Sequence, residues 1–137
     1  MTIKISKNRV SLEDARLERP VIKDYGETLV TANSTTAYTV DLEAGNVLKI
    51  TMTGNCTFTF SNPPATGIAG SFTLLLIQDG TGSRLATWPT SVRFPAGTKP
   101  TLTTTATTGT DVLTFFTVDA GTTWYGFPAG LAMAVPA

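Results

Sequence analysis

Histidine is absent from the sequence, cysteine occurs once, and only 15% of the residues are charged. Without histidine the chain cannot form a Ser-His-Asp triad, a Cys-His pair, a zinc site of the HExxH type or an imidazole pH switch. The single Cys56 cannot form an internal disulfide, and a chain of 137 residues buries enough surface to fold without one. These absences exclude the commonest nucleophilic and metal-dependent catalytic sites, and we expect neither a metal nor a cofactor.

Long hydrophobic runs are missing as well. The apolar run Leu74–Ile77 is far shorter than a helix that crosses a bilayer, and the opening MTIKISKNR lacks the apolar stretch of a secretory signal. The formal net charge is zero, whereas nucleic-acid-binding domains are usually strongly basic. We therefore expect a protein that folds in a cytoplasm and has no membrane or nucleic-acid partner.

Charge is distributed unevenly along the chain. Residues 1–27 hold eleven of the twenty charged residues, with both signs mixed, which is typical of an exposed arm. The rest of the chain is only about 8% charged, compared with about 25% for an average soluble domain. We divide the chain into an N-terminal anchoring arm (1–27), a body (28–127) and an apolar C-terminal tail (128–137). Because the body has so few charges, we expect it to pack against other copies in a homo-oligomer.

The body is predicted to consist of short β-strands. Two segments that alternate apolar and polar side chains, 47–53 and 56–61, flank Gly54-Asn55, which predicts a β-hairpin. Ser71–Gln78 is apolar at nearly every position and is predicted to be a central strand covered on both faces. The fold class is therefore all-β, an antiparallel β-sandwich or jelly-roll-like body. Further strands are predicted at 35–42 and 84–88, and a second hairpin at 112–118 and 122–127 around Asp119-Ala120-Gly121.

The extended arm carries a signal for one short helix. Ser11 followed at the third position by Asp14 resembles a capping box, and Pro20 marks a stop. An isolated helix of about two turns is marginal in water, so we expect it to be ordered only on a partner. The alternative is a solvated, disordered arm. The candidate partner-binding residues are Arg9, Leu12, Arg16, Leu17, Arg19 and Lys23.

Five carboxylates lie in the body, and two of them could in principle serve as the pair of a glycosidase. However, Asp79 and Asp119 precede glycine-containing turns, where aspartate accepts local backbone hydrogen bonds, and Asp111 begins a strand. Cys56 shares an apolar row with Phe58, which predicts a buried, unreactive thiol rather than a nucleophile. We therefore predict no catalytic residues.

Three aromatic residues are candidates for contacting a receptor or a glycan. They are Trp88, Trp124 and Tyr125, since flat aromatic rings stack on sugars. The same side chains are also typical of a sandwich core or of a subunit seam, where Trp and Tyr are enriched. The sequence favours core or seam over a glycan platform.

Several segments carry a resemblance to a known family. They are Gly45–Asn55, then Phe58-Thr59-Phe60 with Asn62-Pro63-Pro64, then Gly70–Leu74 continuing to Gln78–Arg84, then Trp88-Pro89, then Pro95–Leu102, and finally Asp111–Phe115. In this order, over roughly residues 40–127, they resemble a β module found in tail fibres, head fibres and capsid-decorating proteins of tailed bacteriophages. The resemblance implies a virion structural protein, typically a trimer, with no catalytic residues of its own.

We expect a virion structural protein that is not an enzyme. The interpretation that the sequence favours is a capsid decoration (cement) or head-fibre subunit, whose arm binds the major capsid protein or another virion protein. The alternative is a tail-fibre or adhesin module that binds a host-surface receptor or glycan, and in that case the three candidate aromatic residues should be exposed. A third interpretation, a small hydrolase or lyase acting on polysaccharide, requires two carboxylates to converge in a groove, and the candidates are Asp79, Asp111 and Asp119.

Overall fold

The computed structural model describes residues 4–6, 9–12, 16–107 and 109–136. In this part of the chain the regular structure consists of β-strands and one 3₁₀ turn at Pro95–Gly97, with no α-helix. The strands are β1 (Lys4–Ser6), β2 (Arg9–Ser11), β3 (Leu29–Ser34), β4 (Ala37–Asp41), β5 (Val47–Met52), β6 (Cys56–Ser61), β7 (Gly70–Gln78), β8 (Ala86–Thr87), β9 (Val92–Arg93), β10 (Thr110–Thr117) and β11 (Trp124–Met133).

Two sheets form the body and enclose one core. The large sheet has six strands in the order β3-β5-β7-β10-β11-β9, and the small sheet has three in the order β4-β6-β8. Val40 and Phe58 of the small sheet pack with Leu48 and Leu74 of the large sheet, and all four are at most 1% exposed. The predicted all-β, sandwich-like fold class is confirmed.

Strands β3 to β8 follow three successive coils that run from the large sheet to the small one. Coil 1 consists of β3 and β4, coil 2 of β5 and β6, and coil 3 of β7 and β8, and equivalent strands of neighbouring coils pair in parallel. The register places Val30, Leu48 and Leu74 in one row across the large sheet. Apolar residues recur at matching positions of each coil, so stacking the coils aligns them into a continuous core.

The corner at Gly54-Asn55 replaces the predicted hairpin. The amide of Thr53 donates to the Ser34 carbonyl of coil 1, and the amide of Cys56 donates to the Leu85 carbonyl of coil 3, each at 2.9 Å. The corner therefore hydrogen-bonds to the corners of the neighbouring coils, and β5 and β6 lie in different sheets. The antiparallel pairing predicted for these strands is wrong. In the body, antiparallel pairing joins β7 to β10 and β10 to β11.

Strands β10 and β11 form an antiparallel hairpin, as predicted. Its turn uses positive φ at Ala120 (54°) and Gly121 (77°), and Phe116 lies opposite Tyr125. Strand β11 continues to Met133, so the first six residues of the segment predicted as a tail, 128–133, belong to this strand.

Aromatic rings fill the centre of the core. Phe60, Phe72, Phe115 and Trp124 have ring centroids between 4.9 and 5.5 Å apart in the pairs that touch, mostly edge to face. Each such pair contributes about 0.5 to 1.5 kcal/mol beyond area burial. Cys56 lies in the same core at 1% exposure, and burial raises the pKa of its thiol, as expected of an unreactive cysteine.

Strand β7 occupies the predicted central position, between β5 and β10. Its inward side chains, Phe72, Leu74 and Leu76, are at most 2% exposed. The alternate side chains Leu75 and Ile77 point away from the core and are only half-buried. The strand is thus apolar on both faces, while the body itself covers one of them.

The described part of the arm contains no helix. Ser11, the predicted N-cap, is the last residue of β2, which pairs antiparallel with β1. Residues 16–28 have no regular structure and are exposed, with Val21 99% accessible. The part of the predicted helix at 13–15, including Asp14, lies outside the described residues.

We expect Gly126→Ala to destabilise the body, because Gly126 lies directly opposite Phe115 in the hairpin register. An added Cβ would stand 2.7 Å from the Phe115 ring and 2.8 Å from the Phe94 ring. Such overpacking should lower the free energy of unfolding by about 1 to 3 kcal/mol in urea denaturation. Gly80→Ala, which meets no atom within 4 Å, is the control and should change it by less than about 0.5 kcal/mol. Equal effects of the two substitutions would contradict this account.

Candidate functional site

The Asp79 carboxylate stabilises the loop that follows β7. Its Oδ1 accepts hydrogen bonds from the amides of Thr81 and Gly82, both at 3.0 Å, and its Oδ2 lies 2.7 Å from Nη2 of Arg84. The hydrogen bond from Arg84 is the main cause that lowers the pKa of Asp79 to about 2. The carboxylate is therefore ionised and fully engaged in shaping its own loop.

Asp119 plays the corresponding part in the β10–β11 turn. Its Oδ1 accepts hydrogen bonds from the Thr117 hydroxyl and from the Thr123 amide, each at 2.9 Å. The Thr123 amide is the main cause that lowers the pKa of this carboxyl. The turn assignment made for Asp119 from the sequence agrees with this geometry.

Asp111 joins two segments that are distant in sequence. It is 1% exposed, and its two oxygens accept hydrogen bonds from the amides of Thr103 (2.7 Å) and Ala132 (2.9 Å). Asp111 and Asp119 lie near opposite ends of β10, roughly 27 Å apart along the strand. Glycosidase carboxylates lie about 5 to 10 Å apart, so these two do not form such a pair.

Trp124 is a core residue. It is 2% exposed, and its ring packs against Phe60 and Phe72 at centroid distances of 5.2 and 5.5 Å. A receptor contact by Trp124, the interpretation that the sequence favoured less, would need an exposed ring, and this ring is buried. The favoured interpretation, that it belongs to the core or a seam, fits its position in the sandwich core.

Trp88 lies at the surface end of the same aromatic network. Its ring stacks on Phe58 at 5.2 Å and 17° and meets the edge of Phe94 at 5.8 Å. It is half-buried and lines a cleft of about 680 Å³, which we call the Trp88 cleft, together with Thr87, Val92, Arg93, Phe94, Gly97 and Lys99. A second hollow of about 200 Å³ lies beside it and shares Trp88 and Lys99.

Tyr125 lies elsewhere, on the side of the large sheet that faces away from the core. It is 41% exposed and stacks on Phe116 at 5.1 Å, and Phe116 in turn stacks on Phe127 at 6.1 Å. These three rings form a ladder across β10 and β11, with exposures of 38% to 43%. The structure thus separates the three candidate aromatic residues into core, cleft and sheet face.

The arm candidates are placed along an exposed segment. Arg16, Leu17, Arg19 and Lys23 are exposed, Leu17 to 61%, and Leu12 is half-buried. The side chain of Arg9 lies outside the described residues. Exposed apolar and basic groups on a segment without regular structure are available for a partner, but no geometric site joins them.

The sequence did not single out Arg93, Lys99 or the ring ladder. Arg93 and Lys99 are two of only four cationic residues in the body and lie six residues apart, a clustering that the sequence does show. The turn Pro95–Gly97 between them, with positive φ at Ala96 (53°) and Gly97 (70°), brings both to one cleft. The described residues contain no group of three or more acidic or cysteine side chains that could hold a metal ion.

One comparison with known proteins identifies the family. The model of a family described as "Putative phage tail fibre C-terminal domain" matches residues 34–118, more than half of the chain. The chain belongs to this family. The matched tail-fibre segment runs from the end of β3 to just after β10, so it contains coils 2 and 3 and the whole Trp88 cleft. The arm and β11 lie outside it.

The family makes the protein a structural component of a tailed-phage virion. The suspected resemblance to virion proteins is thereby confirmed, whereas the preference for a capsid decoration or head-fibre subunit finds no support; the match favours the tail-fibre alternative. No curated protein and no solved structure gives a significant match. Among the described residues, no helix is long and apolar enough to cross a membrane.

Because Asp79 must be ionised to pair with Arg84, we expect the protein to lose part of its folding stability in acid. Because the folded-state pKa of Asp79 is lowered to about 2, its contribution is complete above the usual aspartate pKa of about 3.9 and is lost as the pH falls toward 2. Asp79→Asn should therefore melt below the wild type at pH 5, and the difference in Tm should shrink between pH 4 and pH 2. Melting curves by circular dichroism measure this. A difference in Tm that stays constant over that range would contradict the assignment.

Proposed function

We propose that the protein is a self-associating domain of a phage tail fibre that is assembled in the host cytoplasm and binds a receptor on the bacterial surface. The family match over residues 34–118 is the observation that carries this proposal. The function is binding and involves no reaction. In support, Asp79, Asp111 and Asp119, the carboxylates considered for catalysis, are taken up by turn and loop contacts.

An uncharged apolar surface supports self-association. Strands β7, β10 and β11 turn a face away from the core that we call the outer face. Six of its ten residues are apolar or aromatic, and the other four are three threonines and one serine. At the usual strand spacing and rise, the outer face measures about 14 Å by about 27 Å, or roughly 400 Å². Its members are Ser71, Thr73, Leu75, Ile77, Thr110, Val112, Thr114, Phe116, Tyr125 and Phe127.

A second copy of the chain is the partner that this surface fits. Contiguous apolar patches of about 300 to 600 Å² on a protein surface commonly mark interaction sites. The residues of the outer face themselves carry no charge. The charged residues that border it, by strand register or in an adjoining hollow, are Lys49, Arg93 and Glu27. The uncharged middle of the outer face can therefore be buried against another copy while these charges stay at the rim. The stacked rings of Phe116, Tyr125 and Phe127 supply the large aromatic contacts that are enriched at subunit interfaces. The proposed assembly is a homo-oligomer, and a trimer is the form that the resemblance implies. In a trimer the outer faces of three copies would turn toward a common three-fold axis, because a contact between two identical faces closes as a dimer.

The arm is proposed to attach the domain to another virion protein. Residues 16–28 are exposed and have no regular structure, so their polar and apolar side chains can contact a neighbour. Repetition of such contacts over the copies of an oligomer would strengthen attachment through avidity.

Phe116→Glu tests the outer face. Phe116 is 38% exposed, so the variant should fold, but each interface would gain an unpaired buried charge. In sedimentation equilibrium we expect the wild type to be oligomeric. The concentration at which half of the protein is dissociated should be at least tenfold higher for the variant than for the wild type. Thr57→Glu adds the same charge to the exposed side of the small sheet and should leave the oligomer intact. A monomeric wild type, or equal behaviour of the two variants, would overturn this interface.

Deletion of residues 2–27 tests the arm. The remaining chain starts just before β3 and keeps both sheets, so we expect it to fold and to oligomerise. When the shortened gene replaces the original in the phage, the protein should be missing from purified particles in quantitative mass spectrometry. Incorporation at normal occupancy would show that the arm is not the anchor.

A further inference from the structure

The Trp88 cleft combines flat rings with positive charge. It lies between the end of the small sheet and the edge strand β9, and its ring-bearing wall consists of Trp88 and Phe94. Trp88 is held by ring contacts with Phe58 (5.2 Å), Phe115 (5.4 Å) and Phe94 (5.8 Å). A side chain fixed in this way loses little freedom when a ligand packs against it, which favours binding.

The charge of the cleft is unusual for this body. Of the four cationic residues after the arm, Arg84 is paired with Asp79 at 2.7 Å and Lys49 lies on β5, away from the cleft. The other two, Arg93 and Lys99, both line the Trp88 cleft, and no carboxylate lines either the cleft or the adjoining hollow. Two cations whose neighbours carry no negative charge create a local positive potential that attracts anions.

Arg93 lies at the border between the Trp88 cleft, which it lines, and the outer face, where the strand register pairs it with Tyr125. Its Nη1 donates to the Thr90 carbonyl at 2.8 Å, and a guanidinium has four further N–H groups that can donate to a ligand. Guanidinium and ammonium groups are the donors that proteins use for carboxylate and phosphate oxygens. The charged end of the cleft therefore fits an anionic group.

The shape of the site fits an elongated ligand. The adjoining hollow is lined by Leu85 and Thr104 as well and shares Trp88 and Lys99 with the Trp88 cleft, so the two hollows lie side by side at these two residues. Threonine hydroxyls border it at Thr87 and Thr101, where they can bond to ligand hydroxyls. Apolar ring faces, hydroxyl groups and cations together match a sugar chain that carries acidic groups.

We propose that the Trp88 cleft binds an acidic saccharide, one that bears carboxylate or phosphate groups. A sugar ring packs against Trp88 and Phe94, and its anionic group lies between Arg93 and Lys99. This inference rests on the proposed receptor-binding function and assigns it a site and a ligand class.

The test uses the full chain and three probes: oligogalacturonate for carboxylate, mannose 6-phosphate for phosphate, and neutral maltohexaose. We expect calorimetry to detect binding of at least one acidic probe, with weaker binding at higher salt, and none of maltohexaose. Trp88 is the accessible member of the two tryptophans, so the bound probe should also change tryptophan fluorescence.

Charge-neutral variants assign the site. Trp88 packs on the core, so its replacement could unfold the protein. Arg93 and Lys99 are exposed, so we expect the fold to tolerate their replacement. Arg93→Gln with Lys99→Gln should weaken binding of the acidic probe at least tenfold, while Lys49→Gln, which removes a cation from β5, should leave it unchanged. Failure of the wild type to bind either acidic probe, equal binding of the neutral probe, or equal losses in the two variants would overturn the proposal.

Binding to whole bacteria separates this inference from the proposed function. If the labelled wild-type chain binds host cells and the Arg93/Lys99 double variant binds them equally well, receptor binding stands and the Trp88 cleft is not the site. If the wild type does not bind host cells, the proposed receptor-binding function itself fails.

Discussion

Parallel hydrogen bonding between successive coils determines where almost every other group of the body lies. It places Val30, Leu48 and Leu74 in one row, and it aligns the corresponding strands of the small sheet at the same time. The corners take part, since the amide of Thr53 in one coil donates to the carbonyl of Ser34 in the coil before it. A shift of one residue in any coil would turn its apolar row away from the core and break these corner bonds together.

The sequence was sufficient to predict where most strands lie but not which strands pair with each other. Alternation with a period of two identified β5, β6 and the β10–β11 hairpin, because side chains on one face of a strand must be apolar to be buried. It could not distinguish the corner at Gly54-Asn55 from a hairpin turn, because both need a short polar connection between alternating strands. The choice depended on hydrogen bonds to Ser34 and Leu85, which are distant in sequence.

The candidate site was predictable only in part, for a related reason. Trp88 and Tyr125 were recognised as aromatic residues of interest, but burial of Trp124 depends on Phe60 and Phe72 from two other strands. The pairing of Arg93 with Lys99 in one cleft depends on the backbone of the turn between them, which includes a left-handed alanine. Asp79 and Asp119 were predictable because their contacts are local, within five residues along the chain.

The stacking of coils also has a consequence for how such a domain can change in size. Strands β3 and β4 form edges of their two sheets, and coil 1 contacts coil 2 through the same type of register that joins coil 2 to coil 3. Duplication of the gene interval that encodes the stretch from Leu29 to Asn46 would add one more layer at that end. The domain would lengthen by about 4.8 Å, while the aromatic rings at the centre of the core and the β10–β11 hairpin stayed as they are. A fibre built from this fold could therefore adjust its reach in small, heritable steps.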